Sequence, residues 1–329
     1  MGRRPMMARL IAWLCFGVGI ALPALAPGGP APALDAPVRA AMADPPSGGA
    51  AQRRDARPGI SDLDRRRLAS AAEGLAPQRP GVVDAYVVVA ALDSDPVFGR
   101  EAREAARVLA RRYDAAGRTL LLAGYDGRSI DPLPRGGLET LETALNHVGR
   151  LIDPDEDALI LYVTAHGTPA GLAWRDQGAF IATLPPTWLN YVLRHGRLRN
   201  RLVIISACFS GVFLPALASP EGAVITAAAA DRTSFGCASD NDWTFFGDAL
   251  LNHALRKSQP LAAAFGEARG LVGAWEARGK LIPSNPQIAV GPQAAAWLRP
   301  IEARMPKDAS APVGRPAIEA MDQAVAANH

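Results

Sequence analysis

Two side chains in this chain have the chemistry of a nucleophile and its base, and each follows a run that reads as a buried strand. His166 stands in Ala165-His166-Gly167-Thr168, directly after the apolar run 158–164. Cys208 stands in Ser206-Ala207-Cys208-Phe209-Ser210-Gly211, after a second apolar run over 202–206. A thiol attacks a carbonyl as its thiolate, and an adjacent imidazole takes the proton and later returns it to a leaving amine. The oxyanion formed on the way needs backbone N–H donors aimed at it. Gly167 admits a close approach of backbone, so its N–H and that of Cys208 are the expected donors. Taken singly, a His at a strand end is more often structural, and a Cys after a buried strand is more often a small core residue. Brought to one sheet edge, they form a Cys–His site.

The elements around the two motifs must bring them there. Forty-one residues lie between His166 and Cys208. They hold one helical pattern over 184–195, about what a crossover between neighbouring parallel strands requires. Further strands are expected over 82–92, 119–123 and 223–229, with a last short one over 287–290. Helices are expected over 100–116, 137–152, 243–256 and 260–277, and a short one over 61–73. The strands are continuous apolar runs rather than alternating ones. Strands and helices in turn predict a mainly parallel sheet covered by helices on both faces. Right-handed crossovers then put the carboxyl ends of the parallel strands on one edge, where active sites of such folds lie.

Composition narrows the function classes. The chain has 329 residues, 49% hydrophobic and 20% charged, with a formal net charge of +3. That charge is too small and too scattered for a nucleic-acid footprint. Arg53-Arg54 and Arg65-Arg66-Arg67 read as a solvated tail outside the main domain. Only Cys15, Cys208 and Cys237 are present, so this is no disulfide scaffold. No His/Cys/Asp/Glu set has metal-ligand spacing and no glycine-rich phosphate loop is visible. His147, His195, His253 and His329 stand in no partner pattern.

Residues 1–26 read as a signal peptide: Arg3, Arg4 and Arg9 precede an apolar core, and Ala24-Leu25-Ala26 is a cleavage pattern. Export to the periplasm or medium is the expectation. The alternative is an uncleaved anchor in the inner membrane. Residues 27–80 form an Ala/Pro/Arg-rich leader or linker, 81–300 the catalytic domain and 301–329 a tail.

The two motifs together resemble the legumain (asparaginyl endopeptidase) family, which belongs with the caspases: a His-Gly follows one strand and an Ala-Cys the next. The likeness extends through Ile225-Thr-Ala-Ala-Ala-Ala-Asp-Arg-Thr-Ser-Phe-Gly-Cys237, Trp243-Thr-Phe-Phe-Gly-Asp248 and Pro283-Ser-Asn-Pro-Gln287. Bacterial members of the family are similar over about residues 82–300. The resemblance implies a caspase-like α/β three-layer sandwich with a mainly parallel central sheet. It implies a cysteine-type peptidase that acts on peptide or protein substrates through a thioester on Cys208, with His166 as partner and without metal or cofactor. Family enzymes cut after Asn, sometimes Asp, in a pocket holding an Arg and an acidic residue. Arg100, Ser234 and Asp248 match that pocket, and an Arg with an Asp reads both ends of an amide. Three positions depart from the pattern. Phe209 stands where animal and plant relatives carry an acid, Glu101 stands where a His is usual, and no Asn lies near Arg100. Two other readings stay open: a transpeptidase or ligase that resolves the same acyl-enzyme with an amine, and a non-catalytic caspase-like binding protein. Cys237 has only Cys208 to pair with, so it is expected to be a free, largely buried thiol near the pocket.

Overall fold

The computed structural model describes residues 60–128 and 133–319. The signal segment and most of the leader lie outside the described residues.

Ser61 caps the first helix, α1 (Asp62–Glu73), by accepting the Asp64 N–H. Strand β1 (Ala85–Ala91) leads into α2 (Pro96–Arg112), whose N-cap is Asp95, and β2 (Thr119–Leu122) follows. Helix α3 (Leu138–Leu151) precedes β3 (Ala158–Thr164). Three short strands come next: β4 (Gly167–Thr168), β5 (Gly171–Asp176) and β6 (Ala179–Leu184). Helix α4 (Pro186–His195) crosses over to β7 (Arg201–Ser206). A 3₁₀ turn (Ser210–Phe213) and α5 (Leu214–Leu217) lead to β8 (Gly222–Thr226). Then α6 (Phe245–Gly247) runs on as a π-helical stretch (Asp248–Ala254), followed by α7 (Leu261–Arg278), β9 (Gln287–Val290) and α8 (Ala295–Ala303).

The main sheet has the order β2-β1-β3-β7-β8-β9. All its pairings are parallel except β8 with β9. Strands β1, β3, β7 and β8 are buried along their whole length. Their side chains alternate between the two faces, as a period of two dictates. Val87, Val89, Ile160 and Ile204 enter the core shared with α2 and α7, while Tyr86, Val88, Leu161 and Val203 enter the core shared with α1, α3 and α4. The result is a three-layer α/β sandwich with a mainly parallel sheet, the class expected from the strand pattern. No helix among the described residues is long and apolar enough to cross a membrane.

The differences from the sequence reading have local causes. Helix α2 begins at Pro96, four residues earlier than expected, because proline fits the first helical turn and Asp95 occupies the cap. Residues 167–183, for which no element was expected, and Leu184, expected to open the helix over 184–195, form the separate antiparallel sheet β4-β5-β6. Its half-exposed strands are too short and too rich in Gly and Thr to show a period. Helix α8 was not expected either. The packed body also extends beyond residues 81–300 at both ends. Leu68 and Ala72 of α1 are buried. Near the carboxyl end, Val313 O accepts Trp243 Nε1–H at 2.8 Å and the Ala317 N–H reaches Asp248 Oδ2 at 2.7 Å.

Candidate active site

Strands β3 and β7 pair in parallel with Thr164 opposite Ser206. His166 and Cys208 each lie two residues beyond that pair, so the register itself delivers them side by side at the carboxyl edge. The Ala165 N–H still bonds Ser206 O at 3.2 Å, which keeps the two chains together past the last paired residues. Contact is so close that a Cβ on Gly167 would sit 1.9 Å from Cys208 O. Only glycine is tolerated there.

A buried carboxylate fixes both strand ends from below. Glu101, early in α2, is fully buried. It accepts the Tyr162 and Thr164 hydroxyls of β3 at 2.6 and 2.8 Å. It also accepts the Thr244 N–H and Oγ1–H, both at 2.8 Å. Thr244 Oγ1 in turn lies 3.2 Å from Ser206 Oγ on β7. Burial and the neighbouring Glu101 push the Tyr162 hydroxyl well above its usual range, so it stays a donor. Glu101 is thus a positioning residue, a role its sequence context did not signal.

Cys208 sits on a tight turn. Phe209, immediately after it, is left-handed at φ 56° and donates its N–H to Arg232 O at 2.7 Å. Such a conformation is strained for a bulky residue and is held by its surroundings. The Ser234 N–H points at Cys208 Sγ from 3.2 Å. Ser234 therefore does lie at the site, through its backbone. The Cys208 N–H has no acceptor among the described residues. His166 O takes the Ala173 N–H, so by antiparallel alternation the N–H of Gly167 is turned away from β5. Both expected oxyanion donors are available.

His166 is held on its far side by acids. Its Nε2 lies 3.3 Å from Asp95 Oδ2 and 3.9 Å from Asp93 Oδ2. Phe98 packs edge-on against the ring at 5.1 Å between centroids. Asp95 is the N-cap of α2, yet its side chain makes no capping bond. It faces the imidazole instead. With Nε2 turned to the carboxylates, Nδ1 is the nitrogen left for the thiol. Burial pushes the Asp93 carboxyl up, while the Asp95 N–H, His166 and Arg175 pull it down. Sequence spacing did not show this group, because Asp93 and Asp95 are more than seventy residues from His166 and meet it only through the β1–β3 pairing.

The pocket residues part company. Arg100 donates to Asn241 O at 3.1 Å, to Asp126 O at 2.8 Å and to Ser239 O at 2.5 Å. Its acidic partner is Asp242, 3.4 Å away. Burial pushes the Asp242 carboxyl up, but the Arg315 N–H, Arg128 and Arg100 together hold it below the usual 3.8. Asp248, the acid matched from the sequence, is fully buried elsewhere. Its oxygens take the Asn252 amide at 2.8 Å and the Ala317 N–H at 2.7 Å, with His253 at 3.5 Å. It ties the π-helical stretch to the carboxyl-terminal segment and is separate from Arg100. Asp242 lies six residues earlier, just before the block that matches, and only the fold tells the two acids apart. Cys237 and Cys208 are both free thiols. Burial, with Cys208 nearby, pushes the Cys237 thiol up, which keeps it protonated.

No curated protein matches the chain. Among solved structures, caspase-1 from Spodoptera frugiperda is similar at 13% identity, over 66% of this chain and 93% of that one, with a TM-score of 0.43. Residues 140–279, which hold both His166 and Cys208, match the model of the Peptidase C13 family, and that family is one of cysteine-type peptidases, hydrolases by class, as the two motifs predict.

Proposed function

We propose that this protein is a cysteine peptidase of the legumain type, in its bacterial branch, with Cys208 as nucleophile and His166 as general base and acid. The observation that carries the reading is the paired register of β3 and β7, which sets the two side chains at equal height on one sheet edge beside two available N–H donors. His166 Nδ1 takes the thiol proton, and the thiolate attacks the scissile carbonyl. The N–H groups of Gly167 and Cys208 hold the oxyanion. The imidazolium then protonates the leaving amine, and water activated by the same imidazole hydrolyses the thioester. Asp95 orients the ring and faces the positive charge that forms on it, the part a carboxylate plays beside a catalytic imidazole.

Side-chain selection falls to Arg100 with Asp242. A guanidinium and a carboxylate 3.4 Å apart offer a donor and an acceptor to a carboxamide. The carbonyls of Ser239 and Asn241 now occupy that guanidinium, so the loop that carries them must yield to a bound side chain. Cleavage after Asn or Asp is the preference this pair supports. Export through the amino-terminal segment belongs to the same reading and rests on residues 1–26 alone. Amino-terminal sequencing of the mature protein from fractionated cells checks it.

The test of the activity is a peptide panel varied at the residue before the cut, with the wild type beside Cys208→Ala. Hydrolysis that disappears in Cys208→Ala supports the peptidase. Product formed only with an added amine would assign the acyl-enzyme to transpeptidation. Full activity in Cys208→Ala would end both readings.

A further inference from the structure

The acids behind His166 are arranged for more than orientation. Asp93 is 4% exposed, and its Oδ2 is buried with no hydrogen-bond partner among the described residues. A buried carboxylate oxygen left without a donor keeps its desolvation cost uncompensated, so it asks for an occupant. That oxygen points toward His166 Nε2 at 3.9 Å, and Asp95 Oδ2 approaches the same nitrogen at 3.3 Å. The three ligand atoms lie within 4.8 Å of one another. Asp95 has also given up its capping bond to face this point.

We infer that Asp93, Asp95 and His166 form a reversible divalent-cation site, selective for zinc, whose occupation switches the catalytic imidazole off. Zinc takes nitrogen and carboxylate ligands at about 2.0–2.2 Å in tetrahedral geometry, which sets ligand-to-ligand edges near 3.3–3.4 Å. The His166–Asp95 distance already has that value, and the His166–Asp93 distance is longer by only about half an ångström. Three protein ligands leave the fourth position to water. One imidazole with two carboxylates suits zinc better than magnesium, which keeps most of its water and asks for octahedral oxygen.

Arg175 does not fill the place. Its Nη1 is 3.8 Å from Asp93 and 3.9 Å from Asp95, at ion-pair range without a hydrogen bond, while its Nη2 is spent on Gly178 O. It balances charge and leaves the oxygen lone pairs open. The half-buried guanidinium has room to swing outward when a dication arrives.

The consequence for catalysis follows from the two nitrogens of one ring. A metal on Nε2 requires the neutral imidazole whose Nδ1 carries the proton. That Nδ1 is a donor and cannot accept the proton of Cys208. The metal also takes Asp95 away from the ring it orients. This switch rests on the peptidase reading, whereas the site itself does not.

Isothermal calorimetry with zinc chloride on metal-free Cys208→Ala protein tests the site without activity and without the thiol as a ligand. One saturable zinc site is expected, with no heat from magnesium at the same concentration. Affinity should fall at least tenfold when Asp93→Asn is added and also when His166→Ala is added. Retention of full affinity in the His166→Ala background, or no saturable zinc site, would overturn the proposal. Asp93→Asn serves as the second variant, with its melting curve recorded to show that it folds. For the switch, zinc should abolish hydrolysis by the wild type and a chelator should restore it. Zinc bound to the site with hydrolysis undiminished would overturn the switch. Wild type with no hydrolysis even when metal-free would count against the peptidase reading and leave the calorimetry standing.

Discussion

Two groups of residues, His166 with Cys208 and Arg100 with Asp242, are held in opposite ways. His166 and Cys208 are delivered by backbone: neighbouring strands, a fixed register and a glycine with no room for a Cβ. Arg100 and Asp242 are delivered by side chains and loops. Arg100 comes from a helix, Asp242 from the loop before α6, and Arg128 and Arg315 from two further segments hold the acid in place. The first arrangement is set by the sheet and changes little unless the sheet does. The second is a sum of charged contacts between side chains of separate segments, with Arg100 and Asp242 largely buried and Arg128 exposed. In the function proposed above, chemistry falls to the first group and selectivity to the second.

Substitutions can break or sharpen that contrast. The largest effect is expected at Cys208→Ala. Hydrolysis should fall on the order of 10⁴-fold or more, as for removal of a nucleophile elsewhere. Stability should stay within about 1 kcal/mol, since the side chain is half-buried and small. Steady-state rates beside a thermal melt check both.

Glu101→Ala comes next, because it strands four donors under the two strand ends. A loss of about 3–5 kcal/mol in urea unfolding is expected, with Glu101→Gln milder because one carbonyl acceptor survives. A melt unchanged in Glu101→Ala would show that the backbone register alone holds the edge.

Asp95→Asn should lower kcat about 10²-fold with KM nearly unchanged, since the ring loses its orienting charge while Asp93 remains. A change confined to KM would move Asp95 from the imidazole to the substrate.

Asp242→Asn is the smallest and touches only the second group. Its carboxyl is held below 3.8, so it contributes stability that is present above that pH and lost as the pH falls further. The variant should lose about 1 kcal/mol at neutral pH and show a flatter acid limb, seen in melts taken from pH 7 to 3. Its preference for Asn or Asp before the cut should weaken while turnover of other peptides holds. Equal losses on every peptide would tie the pocket to the edge and erase the distinction drawn above.

The sequence by itself determined the sandwich and pointed to His166 and Cys208 as the pair to share one edge. Continuous apolar strands separated by helical runs leave one economical packing, and a His-Gly and an Ala-Cys at successive strand ends then have one edge to share. It did not determine which acid stands beside Arg100, nor what stands behind His166. Asp242 and Asp248 lie six residues apart, and the fold sets one beside Arg100, Arg128 and the Arg315 N–H and the other beside Asn252 and the Ala317 N–H. Asp93 and Asp95 read as a turn after a strand. Only the parallel pairing of β1 with β3 brings them to an imidazole more than seventy residues away. Backbone periodicity is local and therefore written in the chain. The facing of individual charged side chains depends on contacts between distant segments, and those exist only once the chain is folded.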